Sequence, residues 1–480
     1  MWKKLWDKIR GKNASVNNIY SLDGRVPILR AIPYGLQHIL AMFVANIAPI
    51  MIVAGVCNLE AADTAHLIQT AMIIAGIGTL VQLFPVWRIG ARLPIVMGIS
   101  FTFVSVFCYV GPTYGYGAVI GAVLIGGVVE GVLGFFAKYW RKIISPIVAA
   151  CVVTAIGFSL LSVGANSFAG GSGSVDFGSW QNWTLGGVTL LTCILFNLFA
   201  KGNLKQLSVL FGLIVGYVTA LCLGKVDFSA FQGIQAFSFP KIMPYTPTFE
   251  IGSIISVLMI FLVSATETIG DTSALTSTVL GREPTDKEIS GSLACDGLVS
   301  SFSALFGCMP ITSFSQNIGL VAMTKVVNRF TIATGAGIMI IAGLFPAVGA
   351  ALATLPEAVL GGCTIMMFGT IVVSGLQMIG KCGFSSRNIT IVALSLGVGL
   401  GFTQVPEMFM IFPEIVRTIF AENCVAVVFV MSILLNLILP KEKLQPALEE
   451  SAETESQTLT AEETSEGGQE QPSEPTEEVA

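Results

Sequence analysis

Runs with no or almost no charged residue recur about fourteen times along this chain, and they restrict its backbone more than any other feature. They fall near 32–55, 67–86, 94–108, 114–136, 144–163, 183–200, 206–224, 250–280, 290–307, 312–326, 330–350, 357–378, 388–403 and 420–440. About 20 apolar residues in a helix cross a ~30 Å hydrocarbon layer. Within that layer every backbone N–H and C=O must find a partner inside the protein. The expected fold class is therefore an all-α polytopic membrane protein with about fourteen transmembrane spans. Composition agrees: 53% of the 480 residues are hydrophobic and 11% are charged, against roughly 25% charged in a soluble protein.

Lys and Arg in the short loops set the orientation. With the basic start MWKKLWDKIRGK inside, the inner loops carry Arg88 and Arg92, then Lys138, Arg141 and Lys142, and then Lys201 and Lys205. Arg282 and Lys287, Arg329, Lys381 and Arg387, and finally Lys441 and Lys443 continue the series. The outer loops 56–66, 109–113 and 164–182 hold no Lys or Arg, and Lys225, Lys241 and Arg417 are the exceptions. An even span count with both termini cytoplasmic follows. The start reads as an amphipathic helix on the membrane surface, and 404–419 as an interfacial helix. Residues 441–480, rich in Glu, Ser, Thr, Gln and Pro, read as a disordered acidic tail. The Asn13 sequon falls on the cytoplasmic side. No basic patch suggests nucleic acid. Ten scattered cysteines without a CxxC read as small buried hydrophobes.

The two halves echo each other. LPIVMGISFTF at 93–103 resembles MPITSFSQNIG at 309–319, and SPIV at 145–148 resembles LPEAV at 355–359. Seven spans separate matching segments, so the second half is inverted with respect to the first. Pro94 and Pro310 each open a short span rich in small polar residues. Proline removes an N–H and breaks helical pairing, so extended segments are expected in spans three and ten. Such paired interruptions mark the solute site of inverted-repeat transporters.

Polar residues at membrane depth point to the same place. Glu267 and Asp271 are four apart, on one face of the eighth span. Each isolated carboxylate costs ~2.5–3.5 kcal/mol at mid-depth on insertion scales, so the pair implies a wet or partnered cavity. A carboxyl there could take up and release a proton and so couple proton movement to solute binding. Gln316 offers a donor and an acceptor side by side, which suits a planar heterocycle with alternating N–H and C=O groups. Asn317 is placed to fix the Gln316 loop. Asp296 reads as a hydrogen-bonding structural acid, and His38 as a satisfied helical histidine. Glu130 and Glu357 read as lone acids near span ends, snorkelling or bridging helices. The chain lacks a metal-ligand cluster or a nucleophile–base pair, so an enzyme is not expected.

GLQHILAMFVANIAP at 35–49, VMGISFTF at 96–103, SATETIGDTSA at 264–274 and FSQNIGLVAMTKVVNR at 314–329 resemble motifs of the nucleobase–ascorbate transporters, also called nucleobase–cation symporters. The last resembles the family signature, Gln-Asn-x-Gly before a Thr and then an Arg. The resemblance spans most of 31–440. It implies fourteen spans in two inverted seven-span repeats. It divides them into a core domain (31–143 and 249–350) and a gate domain (144–248 and 351–440), between the cytoplasmic segment 1–30 and the tail 441–480. It implies that core moves against gate, often in a homodimer. Carried over, Glu267 binds the base and Gln316 its other edge, while backbone near Phe101 and Ser315 contacts the ring. Asp271 and Asn317 support the site, with His38, Asp296 and Thr324 around it. No cofactor is expected beyond the coupling ion, a proton or else sodium. Uracil-carrying members tend to have Glu at position 316 and His at 271, so Gln316 and Asp271 resemble the xanthine and uric acid branch. Ser315 stands where Gly or Ala is commoner. The expected activity is purine-base import by proton symport at the cell membrane. Uracil transport and an anion transporter of the same architecture are the alternatives.

Overall fold

The computed structural model describes residues 15–140, 145–201, 203–231, 235–413, 416–417, 420–421 and 423–440. The basic start, the Asn13 sequon, Arg141, Lys142 and the acidic tail lie outside the described residues. The first half comprises α1 (Ile28–Val56), α2 (Ala61–Leu83), the strand β1 (Met97–Ile99), α3 (Val104–Tyr114), α4 (Tyr116–Phe135), α5 (Pro146–Phe168), α6 (Trp180–Phe199) and α7 (Ser208–Cys222). The second comprises α8 (Ile251–Leu280), α9 (Asp286–Ala304), β2 (Ile311–Ser313), α10 (Ser315–Thr324), α11 (Arg329–Gly343), α12 (Pro346–Ala353), α13 (Glu357–Cys382), α14 (Ser386–Thr403) and α15 (Cys424–Ile438).

Each expected apolar run contains one of these helices or a strand followed by a helix. Seven described helices are long and apolar enough to cross a membrane, or eight if α11 and α12 are one broken span. Those two are bent by 83° where Pro346 starts a new helix. In the described part of the interfacial helix expected at 404–419, Pro406–Phe409 form a 3₁₀ turn and Val416 and Arg417 are helical.

Helices approach closely wherever small residues face each other, the usual basis of association in lipid. In α4, Gly127, Gly131 and Gly134 lie against Ala294, Gly297 and Leu298 of α9. A methyl group on Gly127 would sit 2.6 Å from the Gly297 carbonyl oxygen, inside van der Waals contact. Glu130 is carried into this seam and is 1% exposed, so it does not snorkel. The reason is geometric: its neighbours Gly127 and Gly131 bring the α9 backbone over it. We expect Gly297→Ala to lose about 2 kcal/mol through overpacking, seen as a lower Tm of the purified protein in detergent. An unchanged Tm would mean that the seam has slack.

Contacts sort the helices into two sets. In one, α1 and α2 pack on α11, and α4 packs on α8 and α9; in the other, α5 and α6 pack on α13, and α6 on α7. The segment before α1 joins the first set. The Ile19 carbonyl accepts from the Val327 and Asn328 N–H groups, and the Asn328 amide holds the Ser21 and Gly24 carbonyls. Asp23 pairs with Arg329, whose guanidinium also donates to the Leu83 carbonyl at 2.9 Å.

Candidate functional site

Between the helices lies a two-stranded ribbon. β1 pairs antiparallel with β2, with Met97 opposite Ser313, Gly98 opposite Thr312 and Ile99 opposite Ile311. Strand edges are intolerable in hydrocarbon unless capped, and side chains from four neighbouring positions cap them. The Met97 N–H donates to Thr79 Oγ1 (3.0 Å) and the Ile99 N–H to Asn46 Oδ1 (2.7 Å). On the other edge the Ser313 N–H donates to Asp296 Oδ2 (2.9 Å) and the Ile311 N–H to Ser300 Oγ (3.1 Å). Thr79 and Asp296 hold matching positions of the two repeats, on α2 and α9. After each strand the chain turns into a short helix, α3 or α10, whose N-terminal end carries partial positive charge.

A cavity of about 1010 Å³ opens beside these helix starts. Glu267, Asp271, Phe101, Ser315, Gln316 and Asn317 all line it, and α5, α13 and α14 supply the opposite wall. Glu267 Oε2 accepts from the Thr102 hydroxyl at 2.7 Å and Oε1 from the Ser315 hydroxyl at 3.1 Å. Ser315 Oγ is also 2.7 Å from Asp271 Oδ2. Gln316, at the start of α10, is exposed to the cavity, and among the described residues its amide has no hydrogen bond. Phe101 is 6% exposed and meets Phe368 of α13 edge-on, ring centroids 5.3 Å apart. It therefore touches both helix sets.

The other expected residues stand behind this wall or away from it. Asn317 Oδ1 accepts from His38 Nδ1 at 2.8 Å; a carbonyl oxygen only accepts, so Nδ1 carries the hydrogen. Asp296 does not line the cavity. It takes four hydrogen bonds, from Gln82 Nε2, Thr268 Oγ1, the Ser313 hydroxyl and the Ser313 N–H. Thr324 lies at the far end of α10, donating to the Leu320 carbonyl and accepting from the Val326 N–H. Sequence reasoning missed Thr102, Asn46, Thr79, Gln82 and Ser300. Asn46 and Gln82 could have been flagged as amides within apolar runs, but lone hydroxyls such as Thr102 give no such signal. No His, Cys, Asp and Glu group able to hold a metal occurs among the described residues.

Residues 29–408 match the family model described as the Permease family. The chain is 34% identical over 428 residues to the putative purine permease CPE0397 of Clostridium perfringens, an alignment covering 89% of this chain and 94% of that one. It is 34% identical over 445 residues to the xanthine permease XanQ of Escherichia coli K12, covering 89% and 95%. Against the uric acid permease PucK of Bacillus subtilis it is 36% identical over 385 residues, covering 79% and 89%. Among solved structures the fold resembles the transmembrane domain of the cyanobacterial bicarbonate transporter BicA, with a TM-score of 0.57 at 14% identity, covering 83% of this chain and 97% of that domain. The chain is thus a multi-pass membrane transporter rather than an enzyme, and it belongs to the xanthine and uric acid permease family of the nucleobase–ascorbate transporters.

Proposed function

We propose that this permease imports a purine base, xanthine or uric acid, across the cell membrane by proton symport. One observation carries the reading: a carboxylate, Glu267, and an unbonded amide, Gln316, face one cavity. An amide offers N–H and C=O together, and the carboxylate accepts N–H groups, so the two suit the alternating edges of an oxopurine. Phe101 supplies an apolar face for the ring. Relatives named for xanthine and uric acid support this substrate class.

A count of protons supports a proton as the coupling ion. The Ser315 hydroxyl has one hydrogen and stands within bonding distance of both Glu267 and Asp271. Both contacts are filled when one of those carboxyls also carries a proton. In the proposed cycle, the set 31–143 and 249–350 is the core and the set 144–248 and 351–440 is the gate. The core slides against the gate with the base held between them, in a protein of fourteen spans with both termini cytoplasmic. A homodimer within the lipid suits the same cycle. Anion transport is the second reading; the likeness to a bicarbonate transporter is one of fold alone, and a carboxylate beside the Gln316 amide suits a base with N–H and C=O edges better than a small inorganic anion.

Everted vesicles with imposed gradients test this. Accumulation of labelled xanthine or urate is expected under a pH gradient and not under a sodium gradient, with excess uracil leaving it unchanged. Uptake that uracil suppresses, or that sodium drives, overturns the corresponding part. Chloride or sulfate currents under voltage clamp would favour the anion reading.

A further inference from the structure

We propose that Thr102 is a positioning residue that fixes the orientation of the Glu267 carboxylate in either protonation state, and so sets which base edges the site accepts. This rests on Glu267 being the base-binding carboxylate. Thr102 lies in the 3₁₀ turn Phe101–Phe103 that joins β1 to α3, and it is 2% exposed. The turn is clamped to the helix bearing Glu267, because the Phe103 ring packs on Phe261 of α8 with centroids 4.6 Å apart. Its hydroxyl therefore meets Glu267 Oε2 from a fixed point, at 2.7 Å.

The chemistry of the partner matters as much as its place. A hydroxyl donates to an ionised carboxylate and, by rotating, accepts from a protonated one. Among the described residues, both partners bonded to Glu267, Thr102 and Ser315, are hydroxyl bearers. Asp296 differs: of its four partners, the Gln82 and Ser313 N–H groups can only donate, one to each oxygen. The contacts to Glu267 can all reverse on a change of protonation, whereas the two N–H contacts to Asp296 cannot. With Glu267 held at two points, the lone pairs left for substrate aim in set directions. A base with its N–H in the wrong place leaves that N–H and a carboxylate lone pair unpaired.

Thr102→Val removes the hydroxyl and keeps the shape. Its KM for xanthine is expected to rise about tenfold, the scale of one hydrogen bond to a charged group, with Vmax little changed. Its preference for xanthine over a panel of mono-N-methylxanthines is expected to narrow by a similar factor. Thr102→Ser is expected to restore both. If the valine variant fails to reach the membrane, Thr102→Ala removes the same hydroxyl with less bulk and is read in the same way. An unchanged KM and ranking in the variant lacking the hydroxyl, or no rescue by serine, overturns the proposal. If Glu267→Gln transports normally the base-binding reading fails, whereas normal Thr102→Val beside inactive Glu267→Gln defeats only the role given to Thr102.

Discussion

Glu267→Gln is expected to take up labelled xanthine and urate at about one hundredth of the parent rate or less, with its Tm within about 2 °C of the parent. Glutamine keeps the shape and still accepts from one hydroxyl. It loses the charge that strengthens hydrogen bonds to the base, and it presents an NH₂ where the base presents an N–H. Hydrogen bonds to a charged group contribute ~1.5–3 kcal/mol each, and 1.4 kcal/mol is tenfold, so two lost bonds exceed a hundredfold. The fold is spared because Thr102 and Ser315 are hydroxyls and can turn to meet an amide. Uptake by Glu267→Gln at the parent rate would remove the proposed site.

How much of this was legible in the sequence depends on how costly each residue is where it stands. Glu267, Asp271 and Gln316 stand out because a charge or an amide in hydrocarbon demands a reason. Pro94 and Pro310 disclosed the broken spans, since proline forbids regular pairing at those points. Thr102 gave no such signal. Threonine is tolerated in apolar helices by bonding back one turn, as Thr154 does to Ala150, Thr189 to Leu185 and Thr266 to Leu262. Nothing in Phe-Thr-Phe distinguishes a hydroxyl spent on its own helix from one spent on Glu267. Only the turn after β1 makes the difference, because it leaves no carbonyl one turn back.

The segment before α1 was illegible for another reason. Residues 15–27 are short and polar, and their worth lies in what they meet. The Asn328–Arg329 pair has its side chains taken up by Ser21, Asp23, Gly24 and Leu83. The end of the signature-like stretch thus anchors the chain, while its beginning, Gln316, faces the cavity. A single motif serves both duties because α10 is only ten residues long, so one helix joins the cavity to this anchor.

The ribbon that aims α10 depends in turn on Asp296, and Asp296→Asn is expected to fail by a different route from Glu267→Gln. Oδ1 takes the Gln82 amide and the Ser313 hydroxyl; Oδ2 takes the Thr268 hydroxyl and the Ser313 N–H. Whichever oxygen becomes NH₂, it faces an N–H that cannot turn round. The opposed pair leaves buried donors unmet at ~1–3 kcal/mol each, so the loss is on the order of 4 kcal/mol, a large share of the 5–15 kcal/mol typical of a folded protein. Asp296 sits away from the cavity, so its KM in whatever protein survives should stay near the parent value. The expected signature is a much lower Tm and less protein in the membrane, with normal xanthine affinity per folded molecule. A stable Asp296→Asn protein with weakened xanthine binding would instead place Asp296 in contact with the substrate, and the ribbon would need another support.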